Sequence, residues 1–185
     1  MPRTSHRRDL LTDTALRLID EIGLDEVTHR AIDAAAEVPP GTTSNYFRTR
    51  AALYEAIARR LLDHQLTDLA ALPAVTTHEE LVTALAATVE AGDGPARNRY
   101  LARIELSVAA ARNPALAALM RDLRAATLRV LGHQIRAVYP KATDRQLHTL
   151  GSVLTGITLD RIALAVPGMD VREALSALTR GLLEK

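Results

Sequence analysis

Residues 28–53 read THRAIDAAAEVPPGTTSNYFRTRAAL, and this stretch decides the fold of the amino-terminal part of the chain. Pro39, Pro40 and Gly41 interrupt it, because proline cannot continue a helix that precedes it and glycine readily enters a turn. A short helix is predicted on each side of the interruption. A third, longer helix is predicted to begin near Arg50. The pattern indicates two helices joined by a tight turn.

The segment after the turn is too short and too polar to form part of a core. Its side chains are short or planar and can both donate and accept hydrogen bonds: Thr42, Thr43, Ser44, Asn45 and Tyr46. In a helix-turn-helix, the second helix enters the major groove and presents such groups to base edges. The segment is therefore predicted to be a recognition helix for double-stranded DNA.

Local signals place this pair of helices in a three-helix unit of about fifty residues. Residues 5–22 show the apolar spacing of an amphipathic helix, and Gly23 is expected to take the left-handed position that ends it. Thr28 is the predicted N-cap of the next helix. Phe47 is the only phenylalanine of the chain and is expected to fill the space between the three helices.

Helical patterns continue to the end of the sequence, separated by prolines and glycines, and no strand-like alternation stands out. They cover residues 50–71, 78–91, 95–112, 115–138, 144–165 and 171–183. Three begin with a capping box, formed by Thr77 with Glu80, Thr143 with Gln146, and Asp170 with Glu173. We predict an all-α fold of about nine helices. Residues 1–49 would form the helix-turn-helix domain, and residues 50–185 an effector-binding and dimerisation domain with 50–71 as the connecting helix.

Composition excludes several classes of protein. The chain of 185 residues has no cysteine, so disulfides and thiolate chemistry are excluded. Its apolar runs are too short to span a membrane, and the start lacks a signal peptide, so a cytoplasmic protein is expected. The net charge is only +1, but residues 1–8 and 38–54 carry arginines without an acid, which suits two small contacts with DNA. No motif for catalysis, a metal or a cofactor is present.

The amino-terminal stretch resembles the tetracycline repressor (TetR) family of transcriptional regulators. The resemblance is carried by these residues: Gly23, Thr28, Arg30, Ile32, Ala36, Val38, Gly41, Phe47, Arg50 and Leu53. The family usually has Gly where this chain has Glu37, a Ser cap where it has Pro39, and often Tyr where it has Ser44. The missing cap is expected to weaken the start of the recognition helix. The rest of the chain is similar to the family in architecture alone.

The resemblance and the chemistry together give the predicted DNA contacts. Thr42, Thr43 and Asn45 are the candidates for base edges, and Ser44 could face a base or a phosphate. Groups near helix N-termini and basic side chains are candidates for phosphates: Thr28, Arg30, Arg48 and Arg50. The Tyr46 hydroxyl is expected to donate to a phosphate as well. Arg3, Arg7 and Arg8 would add nonspecific attraction, or would belong to a solvated terminus.

Two further sets of residues are predicted in the carboxy-terminal part. The last two helices are interpreted as half of a four-helix homodimer interface, with packing inside one chain as the alternative; the interface residues would be Ser152, Gly156, Leu159, Ala163, Leu175, Leu178 and Leu182. Polar groups on apolar helix faces need partners, and either a small-molecule effector or other helices could supply them. These ligand-binding candidates are Tyr100, Glu105, Thr127 and Gln134.

The predicted function follows from these assignments. The chain is expected to be a regulator, most simply a repressor that a mainly apolar or amphipathic small molecule releases from a pseudo-palindromic operator. A helical small-molecule-binding protein that does not act through DNA is the alternative. Catalytic residues, a cofactor and a metal are not expected, and neither is a membrane.

Overall fold

The computed structural model describes residues 3–94, 96–164 and 168–184, apart from the side chains of residues 3–5 and 93, and these residues form helices and turns without a strand. In chain order the helices are α1 (Arg3–Ile22), α2 (His29–Ala35), α3 (Thr42–Tyr46), α4 (Arg50–Ala70), α5 (His78–Asp93), α6 (Arg97–Ala110), α7 (Pro114–Val138), α8 (Asp144–Leu164) and α9 (Val171–Leu183). The predicted all-α fold of about nine helices is confirmed over this part of the chain.

The observed helix ends lie close to the predicted ones, because most are set by local caps and prolines. The predicted ends at Pro95 and Ala165 fall on residues outside the described part of the chain. None of the described helices combines the length and apolarity needed to cross a bilayer.

The contacts group the residues into two compact units, Met1–Gln65 with Asn98–Arg124, and Leu66–Arg97 with Ala125–Lys185. These units are defined by contacts between residues, whereas the predicted domains are defined by function, so the two divisions need not coincide. The predicted functional boundary between residues 49 and 50 stays a prediction.

The core of the first unit surrounds the end of α3. Phe47 directly follows that helix, is only 1% exposed and lies in one cluster with residues of α1 and α2, as expected for a side chain between the three helices. Its cluster is otherwise mostly aliphatic and includes Leu11, Ile19, Ile32, Leu53, Ile57 and Leu106. Burying this apolar surface is what holds α2 and α3, because helices of seven and five residues are not stable by themselves.

The link between α1 and α2 has the predicted local geometry. Gly23 takes a φ of 78°, a left-handed conformation that glycine adopts without strain, and Leu24 after it is buried. Thr28 is the N-cap of α2, with its hydroxyl oxygen accepting a hydrogen bond from the Ala31 N–H at 3.2 Å. Both predictions are confirmed.

In the second unit, α5 packs against α8 and α9. The sequence predicts an apolar stripe of Leu147, Leu150, Leu154 and Ile157 on α8. The three leucines are buried, and Ile157 is partly buried and packs against the same core. The capping box of Thr77 and Glu80 is complete, since each side chain accepts from the other residue's backbone N–H. Thr143 and Gln146 make the same exchange, while Asp170 caps α9 by accepting from the Glu173 N–H.

The predicted buried face of α6 is wrong. The sequence favours Leu101, Ile104 and Val108, but Val108 is 61% exposed, and the buried residues are Ala102, Leu106 and Ala110. Apolar residues occur around most of this helix, so more than one face fits the helical spacing. The prediction chose the face with the larger side chains, and that face is not the buried one. Two small alanines on the buried face let α6 approach its neighbours closely.

Candidate nucleic-acid interface

Two residues with positive φ shape the turn between α2 and α3. Gly41 has a φ of 87° and occupies the N-cap position of α3. As a glycine, it has no side chain of its own that could accept a hydrogen bond from the first turn of the helix. Glu37 has a φ of 52° and is the single non-glycine residue with positive φ in the described chain. It stands at the position where the family usually has glycine, so a side chain here imposes a strain that glycine would avoid.

Asp33 of α2 supplies the cap that α3 lacks. Its side chain is buried, at 4% exposed. Oδ2 accepts from the Gly41 N–H at 2.8 Å, and Oδ1 accepts from the Thr43 N–H at 2.8 Å and from the Thr43 hydroxyl at 2.6 Å. Burial by itself raises the pKa of Asp33, but the hydrogen bonds from Thr43 and Gly41 outweigh it and hold the pKa below its ordinary value.

This arrangement corrects two expectations. The start of the recognition helix is not left uncapped where Pro39 replaces the Ser cap, because a carboxylate from the preceding helix satisfies two of its free N–H groups. The prediction that Thr43 contacts a base is wrong for this structure, because its side chain is fully buried and its hydroxyl is bound to Asp33. The sequence signal that could have identified Asp33 is an acid beside Ile32 on the buried face of α2.

The remaining polar side chains of α3 lie at the surface. Ser44 and Asn45 are exposed, and Thr42 and Tyr46 are half-buried. The hydroxyls of Thr42 and Ser44 donate to backbone carbonyls, of Pro39 at 2.6 Å and of Gly41 at 2.9 Å. Each hydroxyl oxygen can still accept a hydrogen bond from a base or donor group. The face that α3 can offer to DNA therefore consists of these four residues.

Several basic side chains of the same unit lie at the surface. The Arg8 guanidinium lies 4.9 Å from the centre of the Phe47 ring, a cation–π distance that holds a positive charge beside the end of α3. Arg7, Arg30 and Arg48 are exposed. The side chain of Arg3 is outside the described residues.

Arg50 is engaged within the protein. Its Nε donates to the Tyr54 hydroxyl at 2.8 Å, and its Nη2 donates to the carbonyl and to the carboxylate of Asp25, each at 3.0 Å. The Tyr54 hydroxyl in turn donates to the Leu24 carbonyl at 3.2 Å. A phosphate contact by Arg50 stays a prediction, and it would compete with these bonds. Thr28 is exposed, although its hydroxyl already serves as a cap.

The connecting helix α4 is fastened to α1 by an ion pair with two hydrogen bonds. Arg60 donates from Nε and Nη2 to the two oxygens of Asp13, at 2.8 and 2.7 Å, and His64 Nε2 lies 2.7 Å from Asp13 Oδ1. Burial raises the pKa of Asp13, but the hydrogen bonds from Arg60 and His64 bring its net value below the ordinary one. Two-point arginine pairs of this kind fix geometry as well as charge.

The four predicted ligand residues divide between the two units, with Tyr100 and Glu105 in the first and Thr127 and Gln134 in the second, and their role stays a prediction. Glu105 accepts a hydrogen bond from the Leu24 N–H at 2.5 Å, in the turn after α1. A partner within the protein therefore describes Glu105 better than a ligand contact, although that partner is a turn and not another helix. Tyr100 packs against the Arg103 guanidinium at 4.6 Å, and Thr127 already interacts within the protein. Gln134 differs, because its buried Oε1 has no hydrogen-bond partner among the described residues.

The predicted dimer residues divide into two groups. Ser152, Gly156, Leu159 and Ala163 form an exposed stripe along α8, as an interface on the protein surface requires. Leu175 is fully buried in the core of the second unit, so assigning it to the dimer interface is wrong. Leu178 and Leu182 are half-buried and pack against the same core. Periodicity places all three leucines on one side of α9. It cannot show which of them is fully buried within the protomer and which lies at the edge of the core.

Comparison with known proteins identifies two matching family models. The model described as bacterial regulatory proteins of the tetR family matches residues 11–57, and the tetracyclin repressor-like C-terminal domain matches residues 76–185. The HTH-type transcriptional regulator BetI 2 of Chromohalobacter salexigens is 31% identical over 176 residues, which are 91% of this chain and 83% of that protein.

Solved structures show the same fold. A TetR family member from Streptomyces coelicolor A3 has a TM-score of 0.72 at 28% identity, covering 96% of this chain and 98% of its own. The multidrug binding protein EbrR, complexed with ethidium, has a TM-score of 0.71 at 28% identity and coverages of 93% and 97%. A transcriptional regulator from Rhodococcus sp. Rha1 has a TM-score of 0.79 at 21% identity, with 96% of both chains covered, and shows likeness of fold alone.

The two matches agree with the geometry. The amino-terminal match contains α2, the turn and α3 with its exposed polar face, and the carboxy-terminal match covers more than half of the chain. Members of the family are DNA-binding transcription factors and not enzymes. The chain therefore belongs to the tetracycline repressor (TetR) family of transcriptional regulators, with a helix-turn-helix DNA-binding domain and a ligand-binding carboxy-terminal domain.

Proposed function

We propose that this protein is a ligand-responsive repressor that acts in the cytoplasm. A homodimer binds a pseudo-palindromic operator in double-stranded DNA, and a small-molecule effector releases it. The observation that carries the proposal is the exposed polar face of α3, with Ser44 and Asn45 at the surface of a helix whose first turn is held by Asp33.

Asn45 is the principal base-reading residue in this proposal. An exposed asparagine amide can donate to and accept from one adenine in the major groove. Ser44 and Thr42 would read or approach neighbouring positions, and Tyr46 would donate to a phosphate. Arg30 and Arg48 are exposed basic side chains and would contribute phosphate contacts that do not depend on sequence.

The exposed stripe on α8 supports the homodimer. Three of its four residues are small, and Leu159 is an exposed leucine at 38%. A Cβ added at Gly156 would meet no atom of the described residues within 4 Å, so packing within that part of the chain does not require a glycine here. Small residues let two helices approach closely across a twofold axis, and a twofold dimer places two recognition helices about one DNA turn apart.

Two observations support an effector. EbrR, which shares the fold, is a multidrug binding protein complexed with ethidium, imidazole and proflavin in three structures. In this chain the buried Oε1 of Gln134 is without a hydrogen-bond partner among the described residues, and a buried polar atom gains stability when a donor reaches it. A ligand with an N–H or O–H group would supply that donor.

Release would work through the separation of the two recognition helices. Ligand binding favours one arrangement of the carboxy-terminal helices, and α4 carries the change to the DNA-binding helices through its ion pair between Arg60 and Asp13. A separation that no longer matches the half-sites prevents both recognition helices from binding at once. Effector coupling of this kind is typically about 1–3 kcal/mol.

The test begins with selection of DNA by the wild-type protein from a pool of random duplexes. Fluorescence anisotropy then compares the selected duplex with a scrambled one for wild type, Asn45→Ala and Arg48→Ala. Asn45→Ala should lose about 1–3 kcal/mol on the selected duplex and little on the scrambled one. Arg48→Ala should weaken both equally and reduce the salt slope by about 1.

Two results would contradict the proposal. If no duplex is enriched, the protein does not act through DNA and the small-molecule-binding alternative replaces the repressor. Equal losses on both duplexes from Asn45→Ala would remove its base-reading role while leaving the DNA-binding function in place.

A further inference from the structure

Arg103 of α6 is a half-buried cation. Its guanidinium carbon lies 4.6 Å from the centre of the Tyr100 ring, one helical turn earlier. Among the residues that the structure describes, the guanidinium makes no hydrogen bond or ion pair with the protein. A folded protein normally pairs a guanidinium that it withdraws from water.

The stretch of chain around Arg103 carries an excess of positive charge. Residues 97–124 contain six arginines and two acids, and both acids are placed elsewhere: Glu105 accepts from the Leu24 N–H, and Asp122 lines an open cleft beside Glu55 and Arg59. Desolvation lowers the pKa of Arg103; Tyr100 opposes this in part, and the charge of Arg124 adds a smaller lowering effect. The protein itself therefore disfavours the positive charge at this position.

The position of the guanidinium suits an oxyanion. An aromatic ring stacked against one face of a guanidinium fixes the orientation of the guanidinium plane. The edge of that plane presents two parallel N–H groups, which match the oxygens of a carboxylate, phosphate or sulfonate. An oxyanion bound there would relieve the desolvation and the repulsion by Arg124 together.

We propose that Arg103 recognises the oxyanion of a small organic anion with an apolar body. This inference rests on the proposed ligand-responsive function, because it assigns the effector's chemical class as an amphipathic anion. The apolar body would pack against side chains such as that of Tyr100, and the guanidinium would distinguish the anion from a neutral molecule of the same shape.

The test uses two fluorescent probes with the same body. The first, 8-anilinonaphthalene-1-sulfonate, is an anion, and N-phenyl-1-naphthylamine is the same molecule without the sulfonate. Titrations use the full chain as wild type, Arg103→Met and Arg103→Lys, with Arg121→Met as the control at an exposed arginine of α7. Arg103→Met should weaken binding of the sulfonate about 10-fold or more and leave the neutral probe unchanged. Arg103→Lys should keep part of the preference, and Arg121→Met should behave as wild type.

A second measurement separates ligand recognition from a structural role. Without ligand, Arg103→Met should melt at the wild-type temperature or above, because it removes an uncompensated charge. Sulfonate binding that Arg103→Met leaves unchanged, or an equal loss of both probes, would overturn the inference, as would a lower melting temperature without a change in probe preference.

The proposed function is tested separately, by measuring whether each ligand displaces the selected DNA duplex from the protein. If the sulfonate binds through Arg103 but does not displace DNA, the anion site stands and its role as the effector site fails. If wild type and Arg103→Met release DNA equally with ethidium, a cation, the effector function stands and its assignment to anions fails.

Discussion

Asp33 and Thr43 share two hydrogen bonds through one oxygen, since Asp33 Oδ1 accepts from the Thr43 N–H at 2.8 Å and from the Thr43 hydroxyl at 2.6 Å. The two residues are ten positions apart and belong to α2 and α3. A helix of five residues is far too short to be stable alone. The recognition helix therefore depends on a carboxylate from the helix before it, in addition to the packing of Phe47.

Removing that carboxylate should unfold the start of α3. Asp33→Ala leaves the half-buried N–H of Gly41 and the buried N–H of Thr43 without their acceptor, and the free energy of unfolding should fall by about 2–4 kcal/mol. Urea denaturation followed by circular dichroism measures the change. The matched control is Glu26→Ala, an exposed acid before α2, which should change the value by less than about 0.5 kcal/mol. A loss for Asp33→Ala no larger than the control would contradict the capping role.

The same carboxylate should make stability depend on acid pH. The folded-state pKa of Asp33 lies below its ordinary value of 3.8, so the unfolded chain binds the proton first as pH falls. Its contribution is complete above the ordinary value and is lost as pH falls through the lowered pKa. Asp13 shifts in the same direction. Denaturation curves below pH 5 should show a smaller acid loss in Asp33→Asn than in wild type; parallel losses would assign the effect to Asp13 and other acids.

A substitution at Thr43 can distinguish a residue that positions α3 from one that contacts a base. Thr43→Val keeps the shape of the buried side chain and removes the hydroxyl that donates to Asp33. Stability should fall by about 1–2 kcal/mol, and affinity should fall on selected and scrambled duplexes alike. Anisotropy at one salt concentration suffices. Thr43→Ser, which keeps the hydroxyl, is the control. A loss confined to the selected duplex would restore Thr43 as a base-contacting residue.

Replacing Glu37 with glycine should stabilise the fold. Its φ of 52° costs an L-residue roughly 1–2 kcal/mol relative to glycine, partly offset by the greater freedom of glycine in the unfolded chain. Glu37→Gly should therefore raise the free energy of unfolding by about 0.5–1 kcal/mol. Glu37→Ala removes the carboxylate but keeps the Cβ, so it should show no such gain. If alanine stabilises as much as glycine, the side-chain charge and not the backbone is responsible.

The exposed stripe of α8 should control association. Gly156→Arg adds a large charged group where a Cβ would meet no atom of the described chain within 4 Å, so the fold should persist while the proposed homodimer separates. Sedimentation velocity gives the association state, and circular dichroism monitors the fold. Ser107→Arg, also small-to-large on an exposed helix position, should leave the dimer intact. A dimer that survives Gly156→Arg would place the interface elsewhere.

The features that the sequence predicts correctly are those with local causes. Gly23, Thr28 and the pair of Thr77 and Glu80 act within one helical turn, so their residue types and spacing were enough. Phe47 was identified because the chain has no other phenylalanine.

The failures arise from contacts between distant residues. Asp33 and Glu105 accept hydrogen bonds from partners ten and eighty-one positions away, and no spacing rule reaches that far. On α6, several apolar residues competed for one buried face, and the small Ala102 and Ala110 occupied it. Arg103 was missed because the sequence shows six arginines between residues 97 and 124 without showing which one is withdrawn from water.

The shortness of α3 has a consequence for engineering new operator preferences. Within its five residues, Thr43 belongs to the framework, as does Phe47 after it, while Thr42, Ser44, Asn45 and Tyr46 remain open to exchange. Grafting a whole recognition helix from a relative would import side chains chosen for another protein's scaffold. A graft of the four variable positions alone, with Asp33 retained, should transfer the donor's DNA preference and keep the host's stability.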